Sequence, residues 1–347
     1  MLIQTEVSLA PLTTLAVGGP ARYFCEAQTE DDIRDAVVFA RERELPLFIL
    51  GGGSNLVVSD RGFDGLVLKI ALRGVEQPEA SRALFEVAAG EEWDAFVARS
   101  VEGKCAGIEC LSGIPGTVGG TPVQNVGAYG QEVAETITEV RAVDLDSLES
   151  VTLASGDCGF SYRASRFNTA DRNRFVITRV TFALRPNGVP CLRYADLQKH
   201  FDGHSTVPTL AEVRHAVREI RHSKAMLIVP GDDDARSAGS FFKNPVIPAA
   251  QYERLVATLS SRSLQLLSYP AGEGMRKVSA AWLVEHAGFA KGYVKGAAGI
   301  SRRHALAIVN RGGATAAEIM ALKDKIQACV LGEFGIQLQP EPVFVGF

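Results

Sequence analysis

Five short runs in this chain carry side chains that could do chemistry. Gly51-Gly52-Gly53-Ser54-Asn55 follows an apolar stretch, so consecutive backbone N–H groups could converge on an anion there, with the Ser54 hydroxyl as a further donor. By itself the run is more simply a tight turn closing a strand. It lacks the Gly-Lys-Ser/Thr of an ATP-hydrolysing loop and the Gly-x-Gly-x-x-Gly spacing of a dinucleotide fingerprint. Between Gly107 and Gly130 glycine and proline recur too often for any long regular element, yet Ile108, Leu111, Ile114, Val118, Val123 and Val126 need burial. A glycine-rich loop that packs closely is what backbone needs to approach a flat or phosphorylated ligand. Tyr162, Arg163 and Arg166 fall within five residues; arginine offers a rigid charged fork for carboxylate or phosphate, though on local evidence a solvated basic turn is the better explanation. Ser237–Pro245 (SAGSFFKNP) combines hydroxyls, two aromatics, a cation and an amide. On a strand, Ser240 and Phe242 would share one face and Phe241 the other, unless both rings are simply core. Glu341 is pinned between Pro340 and Pro342, on local evidence more simply a rim carboxylate than a site residue.

Other chemistries find no support. Histidines 200, 204, 215, 222, 286 and 304 form no metal pair at helical spacing, and cysteines 25, 105, 110, 158, 191 and 329 make no CxxC, so neither a metal site nor a disulfide framework is expected. No Gly-x-Ser-x-Gly elbow is present.

Elements must position these runs. Thr29 and Asp32 make a capping box before Ile33, Ala36, Val37 and Ala40, predicting a helix at 30–43; Leu47–Leu50 then reads as a strand buried on both sides. Further strands are expected at Leu66–Ile70, Leu84–Ala88, Val140–Leu145, Val151–Leu153 and Phe175–Leu184. Helices are expected at Glu92–Gly103, Ala211–Arg221, Ala249–Leu259, Ala280–Ala287 and Ala316–Leu331. The mixture predicts an α+β or α/β architecture. With 347 residues, one core is unlikely to serve the whole chain, and the acidic loop at 231–239 reads as a boundary feature.

The 36 Lys+Arg against 40 Asp+Glu leave a net charge of −4 with no basic run, which argues against nucleic acid or anionic membrane as partner. No apolar stretch approaches the roughly 20 residues of a membrane span, and the first residues, MLIQTEVSLA, resemble neither a secretory signal nor a transit peptide. A soluble, cytoplasmic protein is expected.

Taken together and in order, these runs resemble one family closely over nearly the whole chain: the flavin-dependent UDP-N-acetylenolpyruvoylglucosamine reductases. The resemblance rests on GGGSN at 51–55, IPGTVGG at 114–120, PVQNVGAYG at 122–130, FSYRASRF at 160–167, SAGSFFKNP at 237–245, AAWL at 280–283, KGY at 291–293, HALAIVN at 304–310 and PE at 340–341. It implies an α+β protein of three domains. Residues 1–70, joined by a returning strand at 335–347, and residues 71–225 would form a vanillyl-alcohol-oxidase type FAD-binding unit, and 226–334 would bind the UDP-sugar.

The resemblance further implies non-covalent FAD, NADPH as co-substrate, and a monomer. The cofactor would be held by Gly51, Gly52, Gly53, Ser54, Asn55, Gly116, Thr117, Gly119, Gly120, Asn125, Tyr162 and Arg221. Arg163 and Glu341 would stabilise charge and Ser240 would donate a proton. Tyr129, Tyr194, Lys224, Asn244 and His286 would bind substrate, with Tyr194 on an insertion found in a longer subgroup of the family. His286 stands where many relatives carry Gln or Glu, and Pro342 and Val343 also depart from the usual pattern. Two alternatives remain open at this point: an FAD-dependent oxidase of a hydroxy acid or sugar alcohol on the same fold, and a non-catalytic flavin or UDP-sugar binder.

Overall fold

In the computed structural model, residues 1–261 and 263–347 are described, the side chains of 79 and 80 excepted. The chain gathers into two compact units. The first holds Met1–Val7, Pro20–Gly53 and Phe63–Leu227; the second holds Ser8–Gly19, Ser54–Gly62 and Ile228–Phe347. Residues 1–70 and 71–225, read from the sequence as separate subdomains, thus fall mainly in one unit, and the GGGSN run crosses from one unit to the other between Gly53 and Ser54.

The first unit opens on a four-stranded sheet in the order Gln4–Ser8, Pro20–Ala27, Phe63–Ile70, Leu47–Leu50. Helix α1 (Glu30–Glu42) begins at the expected capping box, Thr29 Oγ1 accepting from the Asp32 N–H at 3.1 Å. It buries Ile33, Ala36, Val37 and Ala40 and makes the crossover that lets Pro20–Ala27 and Leu47–Leu50 both run parallel to Phe63–Ile70. Leu47–Leu50 has the expected bounds but lies at the sheet edge, and of its four residues only Leu50 is buried. It is therefore not a strand covered on both sides. The second sheet, five-stranded and antiparallel, runs Ser150–Ala154, Ile137–Asp144, Phe175–Ala183, Leu84–Ala88, Val75–Glu79, with Val140 opposite Val180 and Val180 opposite Val87. One continuous core takes in Ile33 and Leu68 of the first sheet layer with Phe85, Val140 and Phe182 of the second.

Helix α2 (Trp93–Glu102) buries Trp93, Phe96 and Val97, with the Phe96 and Phe182 rings 5.1 Å apart. Helices α3 (Ala195–His200) and α4 (Leu210–Ser223) complete the unit; Leu197, Val213, Ala216 and Val217 form a small core with Cys110. The Gly107–Gly130 segment is mostly irregular, as its glycines and proline require, and is nonetheless packed, with Ile108, Leu111 and Val118 fully buried.

In the second unit, strand Leu56–Val58 pairs in parallel with Val343–Val345. Three-stranded sheets form from Val246–Pro248, Met275–Val278 and Ser268–Pro270, and from Val294–Lys295, Ala298–Ile300 and Ile308–Asn310. They pack with helices α5 (Ala249–Ser260), α6 (Ala280–His286) and α7 (Ala316–Phe334). Asp60 accepts from the Ala316 and Ala317 N–H groups at 2.7 and 2.9 Å, satisfying donors that the start of α7 leaves open. Ser237–Pro245 is not a strand: it makes isolated bridges, Ser237 to Val309 and Phe242 to Pro340, and both Phe241 and Phe242 are core. The alternation of faces expected for a strand does not apply. No helix of the described residues is long and apolar enough to cross a membrane.

Candidate active site

The two glycine runs meet in the first unit. A Cβ on Gly52 would lie 2.5 Å from the Gly116 Cα, and one on Gly51 would lie 3.1 Å from Thr117 Oγ1, so the chains pass at a separation that a side chain at Gly52 would prevent. Gly116 has φ +122°, where a side chain is strained. The second loop is locked from behind. Trp93 Nε1 donates to Leu111 O at 3.0 Å, Val118 N to Glu91 O at 2.9 Å, and Gly119 N to Ala89 O at 2.9 Å. Gly119 therefore serves close packing, its would-be Cβ 2.5 Å from that of Ala89, while the Gly120 amide is taken up by Thr117 O at 3.0 Å within the local turn. Gly120 is exposed, with nothing within 4 Å of a Cβ added there.

Asp94 links this loop to α4. It accepts from Gly113 N at 2.6 Å and from Arg214 at 2.6 and 3.1 Å, and it also pairs with Arg218. Burial alone would raise its carboxyl, but the Arg214 bond, the Gly113 amide and the charges of both arginines outweigh it and hold the group below the usual carboxylate range. A group depressed in the folded state contributes stability that is complete above its unfolded pKa, near 4, and is lost as pH falls through the folded value. Asp94→Asn should cost about 1 kcal/mol at neutral pH, with solvent screening discounted. In urea titrations the difference from the parent protein should shrink below about pH 4; a difference unchanged down to pH 2 would contradict the assignment.

From α4, Arg221 (6% exposed) donates to Gly113 O at 3.1 Å and to Met226 O at 2.6 Å. Burial pushes this guanidinium down, against the pull of Tyr129. Lys224, capping the same helix, donates to Asp196 at 2.6 Å; burial opposes its charge, but Asp196 and Tyr129 prevail and its pKa is raised. Tyr129 meets Tyr194 edge to face at 5.3 Å between centroids. Four predicted residues, Tyr129, Tyr194, Arg221 and Lys224, thus come together, and Asp196 joins them unforeseen.

Arg163 sits at φ +55° in a turn closed by mutual Ser161–Ala164 hydrogen bonds, donates to Gly127 O at 2.8 Å and lies 5.4 Å from the Tyr162 ring centre. Such left-handed strain in a non-glycine residue is found where a side chain must be aimed. Asn125 is buried and knits the loop, donating to Glu132 at 2.8 Å and Ser161 O at 3.1 Å and accepting from Ala134 N at 3.2 Å. Its amide supports the turn.

In the second unit, Thr14 Oγ1 bonds Ser237 O at 2.6 Å and Ser54 O at 3.3 Å. Asn55 Nδ2 donates to the Glu341 carbonyl at 3.2 Å, and Glu341 N to Phe241 O at 2.9 Å, so Glu341 is stitched to the residue after Ser240. Ser240 Oγ lies 2.9 Å from His304 Nε2. His304 is the residue that sequence reasoning left without a role. Its turn is held by Asp234 (4% exposed), which accepts from the Arg302 backbone at 3.3 Å and side chain at 3.1 Å. Asn244 accepts from Ala280 N at 2.9 Å and so helps start α6, while His286, the last residue of that helix, stacks on Trp282 at 3.7 Å between ring centres. These two predicted substrate residues stand at opposite ends of α6 and are not brought together. Among the described residues no group of three or more His, Cys, Asp or Glu could hold a metal ion.

The class is that of a flavoprotein: residues 21–149, which hold both packed glycine loops, match a family described as FAD binding domain. Residues 231–345 match the C-terminal domain of UDP-N-acetylenolpyruvoylglucosamine reductase. The protein of that name from Streptomyces coelicolor is 46% identical over 98% of this chain and 90% of its own length, and that from Thermobifida fusca 44% identical over 98% and 97%. The crystal structure of UDP-N-acetylenolpyruvylglucosamine reductase from Thermus caldophilus, 24% identical, covers 99% of this chain and 100% of its own with a TM-score of 0.68, a likeness of fold. The chain belongs to the UDP-N-acetylenolpyruvoylglucosamine reductase family, FAD-dependent oxidoreductases of peptidoglycan synthesis.

Proposed function

We propose that this chain uses NADPH to reduce the enolpyruvyl ether of UDP-N-acetylglucosamine to UDP-N-acetylmuramate, with Ser240 as proton donor. The observation that carries the assignment is the Ser240 hydroxyl in contact with His304 and one residue from the backbone tie to Glu341. The residues fit FAD: Gly52 and Gly116 pass without side chains, Gly120 faces open space, and Arg221 buries a positive charge suited to a diphosphate. When bound, FAD supplies the hydride relay between NADPH and substrate.

Hydride delivered to the terminal vinyl carbon leaves negative charge on the carbon beside the carboxylate. Arg163, aimed by its strained turn, and Glu341, as acid or hydrogen-bond partner, balance that charge. Ser240 Oγ then gives its proton to the carbon, and His304 Nε2 holds the hydroxyl in line and returns a proton to the oxygen. The double bond and one hydride plus one proton become a lactyl ether, so the atoms balance. Tyr129, Tyr194 and Lys224 bind the UDP portion, Tyr194 lying over it and excluding water. Residues 1–70 with 335–347 and residues 71–225 serve the flavin, 71–225 also carrying Tyr129, Tyr194 and Lys224 for the sugar nucleotide that 226–334 bind. The protein works as a cytoplasmic monomer, with small molecules and neither nucleic acid nor membrane as partners.

The test is NADPH consumption by the purified yellow protein without oxygen, with the product weighed by mass spectrometry. Consumption should require the enolpyruvyl UDP-sugar, and product should be heavier by two hydrogens. Turnover of a hydroxy acid with oxygen and no NADPH would point to the oxidase instead. His304→Ala should slow this reaction roughly 10- to 100-fold while leaving FAD content unchanged; undiminished turnover would remove His304 from the proton path.

A further inference from the structure

Two cysteines of the first unit have no part in the reaction yet are built against each other. Cys110, fully buried, donates its thiol to the Cys191 carbonyl at 3.2 Å. The two backbones are fastened through Glu109, fully buried, whose Oε1 accepts from Cys191 N at 2.8 Å and from Gln131 Nε2 at 2.9 Å, while Oε2 accepts from Gly107 N at 2.7 Å. Cys191 is half-buried, and its sulfur accepts from Arg193 Nε at 3.2 Å; Arg193 is in turn held by Glu135 at 2.7 Å. A partly exposed sulfur against a guanidinium is the setting of a reactive cysteine, and a buried thiol beside it is the setting of a resolving one. Burial, Glu109 and the Cys191 side chain push the Cys110 thiol up, so Cys110 is not the sulfur that reacts first. The other thiols lie elsewhere, Cys105 donating to Gly103 O at 3.3 Å and Cys158 to Ala154 O at 3.4 Å.

We propose that Cys191 and Cys110 are a reversible oxidation site, taking hydrogen peroxide and closing to a disulfide that pins the start of the Tyr194-bearing segment to the glycine-rich loop. The Cys191 sulfur attacks the peroxide; the O–O bond breaks, an S–O bond forms and one water leaves. The Cys110 sulfur then attacks that sulfur; the S–S bond forms, the S–O bond breaks and a second water leaves. Two thiols are oxidised and one peroxide is reduced to two waters, and a dithiol reductant reverses the result. The functional consequence rests on the substrate reading above. Tyr194 and Asp196 follow Cys191 by three and five residues and engage Tyr129 and Lys224, so a fixed Cys191 restrains the groups that must part to admit a sugar nucleotide.

The experiment treats the whole FAD-loaded protein with hydrogen peroxide and maps its thiols by mass spectrometry. Two of the six cysteines should be lost as a single Cys110–Cys191 linked peptide, restored by dithiothreitol and absent from both Cys191→Ser and Cys110→Ser. Cys191→Ser, at a half-buried position, keeps the test open should Cys110→Ser fold poorly. No linked peptide, or Cys191 oxidised to sulfinic acid without a link, overturns the proposal. Binding of UDP-N-acetylglucosamine, followed by flavin absorbance, should slow in the linked protein and recover with dithiothreitol. A linked peptide with unchanged binding would leave the disulfide standing and overturn its restraint on the Tyr194-bearing segment.

Discussion

Ser240→Ala should leave reduction of the bound flavin by NADPH within about twofold of the parent rate while slowing its reoxidation by the enolpyruvyl UDP-sugar roughly 100- to 10,000-fold, the range a positioned general acid contributes. The split follows from what Ser240 touches. Its hydroxyl meets His304 at 2.9 Å, and its backbone neighbour Phe241 accepts from Glu341 N, so removing one oxygen takes away a proton and leaves the core packing of Phe241 and Phe242 in place. Rapid-mixing absorbance of the two half-reactions measures both rates. Equal slowing of both would mean that Ser240 shapes the site without giving the proton.

Gly52→Val should abolish stable FAD retention. A Cβ there would fall 2.5 Å from Gly116 Cα and 2.9 Å from its carbonyl carbon, contacts with backbone that no rotamer relieves. Overpacking of this kind costs about 3 kcal/mol at the upper end of its usual range, which is roughly 150-fold in affinity if taken from cofactor binding. The variant should be isolated pale, with a lowered melting temperature. Gly120→Ala is the comparison: with nothing within 4 Å of the added carbon, apoprotein stability should be unchanged. A Gly52→Val protein that purifies yellow and melts like the parent would refute the packed cradle.

The parts of the fold legible in sequence were those whose determinants are local. Thr29 and Asp32 announce α1, and Leu84–Ala88 is a run of β-formers ended by Ala-Gly, so its bounds were read as they stand. Strand Leu56–Val58 was not read, because three residues give no period and its partner, Val343–Val345, lies almost 290 residues on. Pro20–Ala27 was missed for a related reason: Arg22 and Glu26 break its apolar pattern, which is completed by a partner strand at Phe63–Ile70. In the site, residue types were legible and partners were not. Asn125 and Asn244 are expected from the likeness to hold ligand, but the partners that position them, Glu132, Ser161 O and Ala134 N for the one and Ala280 N for the other, are announced by no spacing. His304 lies 64 residues from Ser240, and no spacing announces such a pair. Only the likeness of motif order joined runs so far apart, because a glycine run or a lone serine carries no local signal of the reaction it serves.

The central claim, that electrons pass from NADPH through bound flavin to a vinyl carbon protonated by Ser240, is tested most directly by anaerobic double mixing. The yellow absorbance should bleach with one equivalent of NADPH, persist bleached, and return when the enolpyruvyl UDP-sugar is added, with product carrying one solvent deuterium beside its carboxylate in heavy water. Recovery of colour only on admission of oxygen, with the UDP-sugar recovered unchanged, would contradict it.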